Sequence, residues 1–443
     1  MAVAAWTDAP VWKVPPVRAP WRLLPLAATV LLTAVPYRGD GAGPADLASG
    51  LLVLTCLGYV LHRRARPLSA AAAVVLGLPA LGAAVATATA ADPLAALPGY
   101  VRYVQVFVLV PAAVVLLVRD ARDFRFVLGA LVALALLEGG VGVHQYATGT
   151  GASYMGEDIR AVGTFGPTGV MGMATVVSYG LLAAVALALA APASAPRRLR
   201  PAALAVAAVL VVPLALSFSR GAWIATALAL AAMLLLAGAR LAVRVFAAAA
   251  AAAVVLVGGL GLGSAMVSER LSSITQVTDA PDRSVNDRYT MWAAAASMWQ
   301  ERPAAGVGLK GFPAHRDGHA SIALSSGSDT AGAGQGFQKQ PLLSPHNMYL
   351  LVLSEQGLIG ATAFIGGWAA ILAAGLRRAA RARRGHGRGT AADCGLAAAG
   401  LLLWQTADFL YADIGGPSTV LTGVVLGLAA WWAFAHRREA ARP

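Results

Sequence analysis

Apolar runs of roughly 20 residues recur along the whole chain, each long enough to carry a helix across a hydrocarbon core of about 30 Å. Barrel strands would alternate polar and apolar residues over about ten positions, whereas the tract 246–262 is apolar on every face. A water-soluble globule is excluded as well, because such domains carry roughly 25% charged residues and this chain has 12% against 58% hydrophobic. The runs predict about twelve spans, at residues 23–36, 47–62, 69–91, 100–118, 126–147, 168–191, 201–217, 221–237, 241–262, 347–376, 391–411 and 416–435. The expected fold is an all-α, polytopic membrane helix bundle, a single integral membrane domain over residues 1–443.

A net charge of +13 would suit nucleic acid, but the positions of the basic residues point to the bilayer instead. Half of the 34 Lys and Arg fall on every second connection: Arg63, Arg64 and Arg66; Arg119, Arg122 and Arg125; Arg197, Arg198 and Arg200; Arg240 and Arg244; and the run 377–388. Lys13, Arg18 and Arg22 at one end and Arg437, Arg438 and Arg442 at the other share that parity. The positive-inside rule then puts both termini in the cytoplasm. A cleaved signal peptide is the competing reading of the first run, and it leaves the parity of the later spans unchanged. Cys56 and Cys394 lie in separate predicted helices, where they read as small packing residues rather than a disulfide or metal pair.

One connection breaks the pattern of short loops. About eighty residues, 263–345, separate the ninth and tenth spans on the side opposite the basic loops, and loops of that length in a compact domain usually carry function. Within it, Asn286 or Asp287 is expected to cap a short helix ending near Gln300. On that helix Arg288, Trp292, Ala295 and Trp299 fall within about 40° of one another, an aromatic face expected to lie along the outer membrane surface. The stretch 306–336, rich in Gly and Ser, is expected to be mobile. Ser344, Pro345 and His346 are expected to be the cap, first position and first turn of the next span, so that the positive helix end keeps His346 neutral.

Charges near the outer span ends are the candidates for chemistry. Arg220 stands between Ser219 and Gly221 in a turn joining two apolar helices, where it either snorkels to lipid phosphate or grips a phosphate ligand with its planar fork. Arg160 is either a binding group or the partner of Glu157 or Asp158. Arg102 reads as an interfacial anchor. Glu138, inside the fifth span, is either functional or paired with an arginine of a neighbouring helix. Asp408 and Asp413 are expected to be solvated. His315 and His319 have metal-ligand spacing but no third ligand, so exposure is the favoured expectation.

Ser219-Arg220-Gly221-Ala222 between two spans, Asp287-Arg288 with Trp292 ahead of Pro303 and Gly306-Val307-Gly308, then His346-Asn347 with Leu350, Glu355, Gly357 and Gly360 resemble, in order and spacing, the O-antigen ligase and polymerase superfamily. Arg160 with Gly163-Thr164-Phe165 is similar to a further family element, so the resemblance extends over roughly residues 155–365. It departs at Thr168-Gly169, where many relatives carry Pro-Asn. The resemblance implies a class C membrane glycosyltransferase that moves a glycan from undecaprenyl diphosphate to an acceptor hydroxyl, such as one of a lipid A-core, at the outer face of the cytoplasmic membrane. It implies no metal, cofactor or nucleotide sugar. By position, Arg220 and Arg288 would bind the donor diphosphate with Arg160 as helper, and His346 would stand beside the attacking hydroxyl. Glu355, nine positions past His346 and about 180° around a helix, reads as structural. A polysaccharide polymerase or a protein O-glycosyltransferase would share this architecture. A secondary transporter is the rival of another class, disfavoured because it should place polar groups near the midplane on broken helices, whereas the charges here gather at the outer span ends beside the long loop and only Glu138 is plainly intramembrane.

Overall fold

A computed structural model of the chain describes residues 21–37, 43–63, 68–154, 159–253, 283–322, 324–325, 327–384, 391–414, 416 and 418–434. The helices are α1 Leu24–Leu31, α2 Pro44–Arg63, α3 Ala70–Ala88, α4 Pro93–Val104, α5 Val110–Leu117, α6 Ala121–Ala147, α7 Val170–Ala190, α8 Leu199–Leu216, α9 Arg220–Ala237 and α10 Ala239–Ala253. They continue as α11 Arg283–Glu301, α12 Phe312–His319, α13 Met348–Arg384, α14 Ala392–Asp408 and α15 Thr419–Phe434. A π-helical turn, Gln105–Leu109, joins α4 to α5 into one span. Among the described residues, eight helices are long and apolar enough to cross a membrane by length and composition. The polytopic bundle expected from the sequence is present, but with eight full-length candidates in place of twelve: the segments Trp21–Ala34 and Thr419–Phe434 are shorter, α14 has 17 residues, and the end of the ninth run lies outside the described residues.

The helices are built to face lipid. On α2, Leu47, Leu51, Leu54, Leu57 and Leu61 recur every three or four residues and are all exposed, while Ala48, Leu52 and Cys56 on the opposite face are buried. This inverts the pattern of a soluble amphipathic helix. Inside, the largest fully buried side chains include Trp404, Trp431, Tyr179, Phe107 and Phe364.

Ion pairs gather the basic connections at one end of the bundle. Arg22 pairs with Asp123, and Arg125 grips Asp393 with two bonds of 2.5 and 2.9 Å. These contacts tie together the starts of α1, α6 and α14, as the alternating parity of the sequence requires. The candidate arginines lie at the opposite end. Arg102 pairs with Asp46, which accounts for it structurally.

That opposite end carries an outer layer. Strand β1 (Ala152–Tyr154) pairs antiparallel with β2 (Ser328–Gly332), which turns into β3 (Gln335–Gln340). The stretch expected to be mobile therefore contains α12 and β2 with the turn into β3, a β-hairpin that helical hydropathy does not reveal. Helix α11 is described from Arg283 onward, so Asn286 and Asp287 lie within it rather than at the cap position expected. Its buried residues are Met291, Ala294, Ala295 and Met298, so Ala295 of the expected aromatic face packs inward.

The outer layer is locked into the bundle at a break in α13. Gly357 adopts φ 61° and ψ −163°, a non-helical conformation nine residues into the helix. Segment 303–309 fills the break. Leu358 and Ile359 donate N–H to the Pro303 and Ala304 carbonyls at 2.8 and 3.1 Å, while Val307 and Gly308 donate to Ser354 and Glu355 at 2.9 and 3.0 Å. A side chain at Gly306 would collide with the Glu355 backbone at 2.4 Å, and one at Gly357 with the Ala304 carbonyl at 2.3 Å. The glycines at these two positions are a steric requirement of the interlock.

Candidate active site at the outer end of the bundle

The connection after α14 is the hub of the site. Asn347 sends its amide N–H to the Leu410 carbonyl at 3.1 Å, and the Met348 N–H reaches the carbonyls of Phe409 at 2.9 Å and Ala412 at 3.1 Å. On the other side, a β-carbon placed on Gly221 would stand 3.3 Å from that of Tyr411. The starts of α9 and α13, which carry Arg220 and follow His346, therefore meet at residues 409–412.

Arg220 is the first residue of α9, and Ser219 caps the helix by accepting from the Ala222 N–H at 3.3 Å. The Trp223 indole donates to the Leu214 carbonyl at 2.7 Å and ties α8 to α9 across the turn. Arg220 is solvent-exposed at a helix N-terminus, where peptide N–H groups and guanidinium both favour an anion.

Arg288 arrives on α11. One turn further along, Trp292 donates its indole N–H to the Pro345 carbonyl at 2.8 Å, which sets α11 against the residue preceding His346. Asp287, buried, accepts from the Ser325 N–H at 2.8 Å and the Ser325 hydroxyl at 2.6 Å of the outer loop. Helix α11 is thereby anchored on either side of Arg288.

His346 is not in the first helical turn as expected. Asn347 is the cap, its Oδ1 accepting from Tyr349 and Leu350 at 3.0 and 3.1 Å, and α13 begins at Met348. His346 precedes the cap in the left-handed region, φ 48°. Its imidazole is held below the ordinary histidine value, first by burial, with the Arg288 guanidinium acting in the same direction and the Asp413 carboxylate opposing. The neutral ring expected from the sequence is retained, but burial takes the part assigned to the helix dipole. Asp413 belongs to the site and was missed as such. Asp408 is 4% exposed rather than solvated, and its Oδ1, like Asp413 Oδ2, is buried with no hydrogen-bond partner among the described residues.

Arg160 is brought to the same end by backbone bonds. Its N–H and carbonyl pair with Ala152 at 2.8 and 3.0 Å, and the next residue, Ala161, donates to the Leu216 carbonyl at 3.0 Å, four residues before Arg220. Glu157 and Asp158 lie outside the described residues. Glu138 shows no arginine partner among the described residues. Its carboxylate accepts from the Thr164 N–H at 2.8 Å and hydroxyl at 2.7 Å. Two turns on, Gln145 accepts from Val162 and Gly163 at 3.1 and 2.9 Å and donates to the Gly163 carbonyl at 2.8 Å. Together they clamp the turn that follows Arg160. Glu355 is also structural, accepting from the Phe312 N–H at 3.2 Å.

His315 contacts the Gly311 carbonyl at 2.9 Å, and His319 spans Ser297 at 2.9 Å and Glu301 at 3.3 Å, so the pair knits α12 to its surroundings. No group of three or more His, Cys, Asp or Glu able to hold a metal occurs among the described residues.

Residues 205–365 match the family model described as O-antigen ligase. That range contains Arg220, Arg288 and His346, whereas Arg160 lies upstream of it. Comparison with curated proteins gives no match.

Proposed function

We propose that this multi-pass membrane protein, which carries the domain of the O-antigen ligase family, a family of glycosyltransferase type, at residues 205–365, ligates a glycan from an undecaprenyl diphosphate carrier to an acceptor hydroxyl. The observation that carries the reading is the meeting of the starts of α9 and α13 at one short connection, 409–412, with α11 tied to Pro345 by Trp292 so that His346 feels both Arg288 and Asp413.

In this mechanism Arg288 and Arg220 hold the donor diphosphate. Neutral His346 accepts the proton of the attacking hydroxyl as its oxygen bonds to the anomeric carbon from the face opposite the diphosphate. The bond from that carbon to the diphosphate oxygen breaks, the configuration inverts, and the arginines offset the charge on the departing diphosphate. Arg160 helps from the edge. No step requires a metal or a nucleotide sugar. The site is assigned to the outer face of the cytoplasmic membrane, with the basic ion-paired end inside.

Transport is the alternative that the break in α13 raises, since broken helices hold substrates in transporters. Here the backbone groups released by the break are bonded by segment 303–309 of the chain itself, which leaves none of those four for a solute. A ligase and a polymerase differ in the acceptor. Purified protein in vesicles, given undecaprenyl-diphosphate-linked glycan and a lipid A-core acceptor in the presence of a chelator, is expected to form the ligated product. Chain lengthening of the donor glycan instead would make it a polymerase, and solute uptake without any glycan product would overturn the proposal.

A further inference from the structure

Trp292 has a bland explanation, since tryptophans are common at membrane interfaces. The structure gives it a more specific place. Its ring is half-buried, stacked edge-on against Tyr289 at 5.7 Å, and its N–H is used on the Pro345 carbonyl at 2.8 Å. The residue that follows Pro345 is His346, in a left-handed conformation that a residue with a side chain rarely adopts. Such a conformation persists where the surroundings fix the backbone on both sides. On the C-terminal side the pins are the Asn347 amide on Leu410 and the Met348 N–H on Phe409 and Ala412. On the N-terminal side the pin is Trp292.

We infer that Trp292 is a positioning residue, whose indole N–H, by holding the Pro345 carbonyl, sets the His346 ring and links its placement to that of Arg288 one helical turn away on α11. The inference rests on the ligase reading and adds to it a residue that touches neither substrate nor diphosphate. The coupling has a chemical purpose. Base and leaving-group clamp come from different parts of the chain, and small misplacements of such groups are costly to rate. A single hydrogen bond between the helix of one and the backbone of the other keeps their separation fixed.

The charged groups acting on the His346 ring are Arg288 from α11 and Asp413 from the connection after α14. Releasing the N-terminal pin lets the ring move into a wetter position and away from Arg288. Both changes raise its proton affinity, so the acid limb of the rate profile moves to higher pH.

The test is Trp292→Phe in purified, vesicle-inserted protein, with a benzothienylalanine replacement at 292, which exchanges only the N–H for sulfur, as the second variant should phenylalanine not insert. The expected result is a fall in kcat of about tenfold or more, a KM for the undecaprenyl-diphosphate donor within about twofold of the parent, because the arginines are intact, and an acid limb displaced to higher pH. An unchanged kcat and acid limb would overturn the inference, as would a change confined to KM or a failure of both variants to insert. Parent and His346→Ala are assayed alongside. Equal transfer by those two would overturn the inference by removing the base that Trp292 is said to position, whereas no glycan transfer by the parent would mean that the ligase reading itself has failed, whatever Trp292 does.

Discussion

At the scale of single residues, the account separates groups that bind from groups that react. Arg288→Ala should lower the transfer rate about 10²-fold, the cost of removing one donor from a developing anion. Arg288→Lys should recover little of it, because a point charge cannot reproduce the planar fork. Rates measured with insertion verified check both, and near-full rescue by lysine would reduce Arg288 to a nonspecific charge. The His346 imidazole adds a pH signature. Its proton affinity is depressed, so the reactive neutral form persists below the ordinary histidine pKa of about 6.5. Activity should therefore be flat at neutral pH and fall only as pH drops through that lower value. An acid limb above about 6.5 would contradict the environment described for the ring. Glu138 belongs to the other class. Glu138→Ala removes the buried carboxylate that accepts from the Thr164 N–H and hydroxyl and should cost about 1–3 kcal/mol of stability, read as a lower melting temperature.

At the scale of elements, the interlock between segment 303–309 and the break in α13 holds the outer layer to the bundle. Gly357→Ala places a side chain in a region that is essentially glycine-only, at a cost of about 1–3 kcal/mol, and 2.3 Å from a carbonyl besides. The expected outcome is loss of thermal stability together with faster proteolysis in the 303–345 loop; unchanged proteolysis would mean the layer is held elsewhere. This element was half legible in the sequence. Gly306, Gly308, Glu355 and Gly357 were all visible as a motif, and Glu355 was read as structural. That they form one joint was not, because the joint consists of backbone hydrogen bonds between segments about fifty residues apart, and a motif carries no pairing information. The same reason hid the sheet. Its strands pair residues 152–154 with 330–332, and its sequences are too short and polar to alternate. The helix start at Asn347 was misplaced by one weighty signal, Ser344-Pro345, overriding another, an asparagine cap directly before an apolar run.

At the scale of the whole molecule, hydropathy and the alternation of arginines anticipated the bundle and the segregation of its two ends. They do so because lipid forces every spanning segment to satisfy its own backbone, and helices do this locally. What hydropathy could not provide was the neighbourhood of His346, since Asp413 and Trp292 reach it only through tertiary packing. The two ends make a topological prediction. Single cysteines at Arg198 and Arg240 should be labelled by an impermeant reagent only from the cytoplasmic side, and one at Phe337 only from the outside. Labelling of all three from one side would break the assignment. The central claim, that one composite outer site binds a diphosphate donor through arginine and activates the acceptor through histidine, is tested most directly by His346→Ala in vesicle-inserted protein, measuring undecaprenyl diphosphate binding and glycan transfer on the same preparation. The account predicts binding within about twofold of the parent and transfer reduced by about 10²-fold or more; transfer near the parental rate would contradict it.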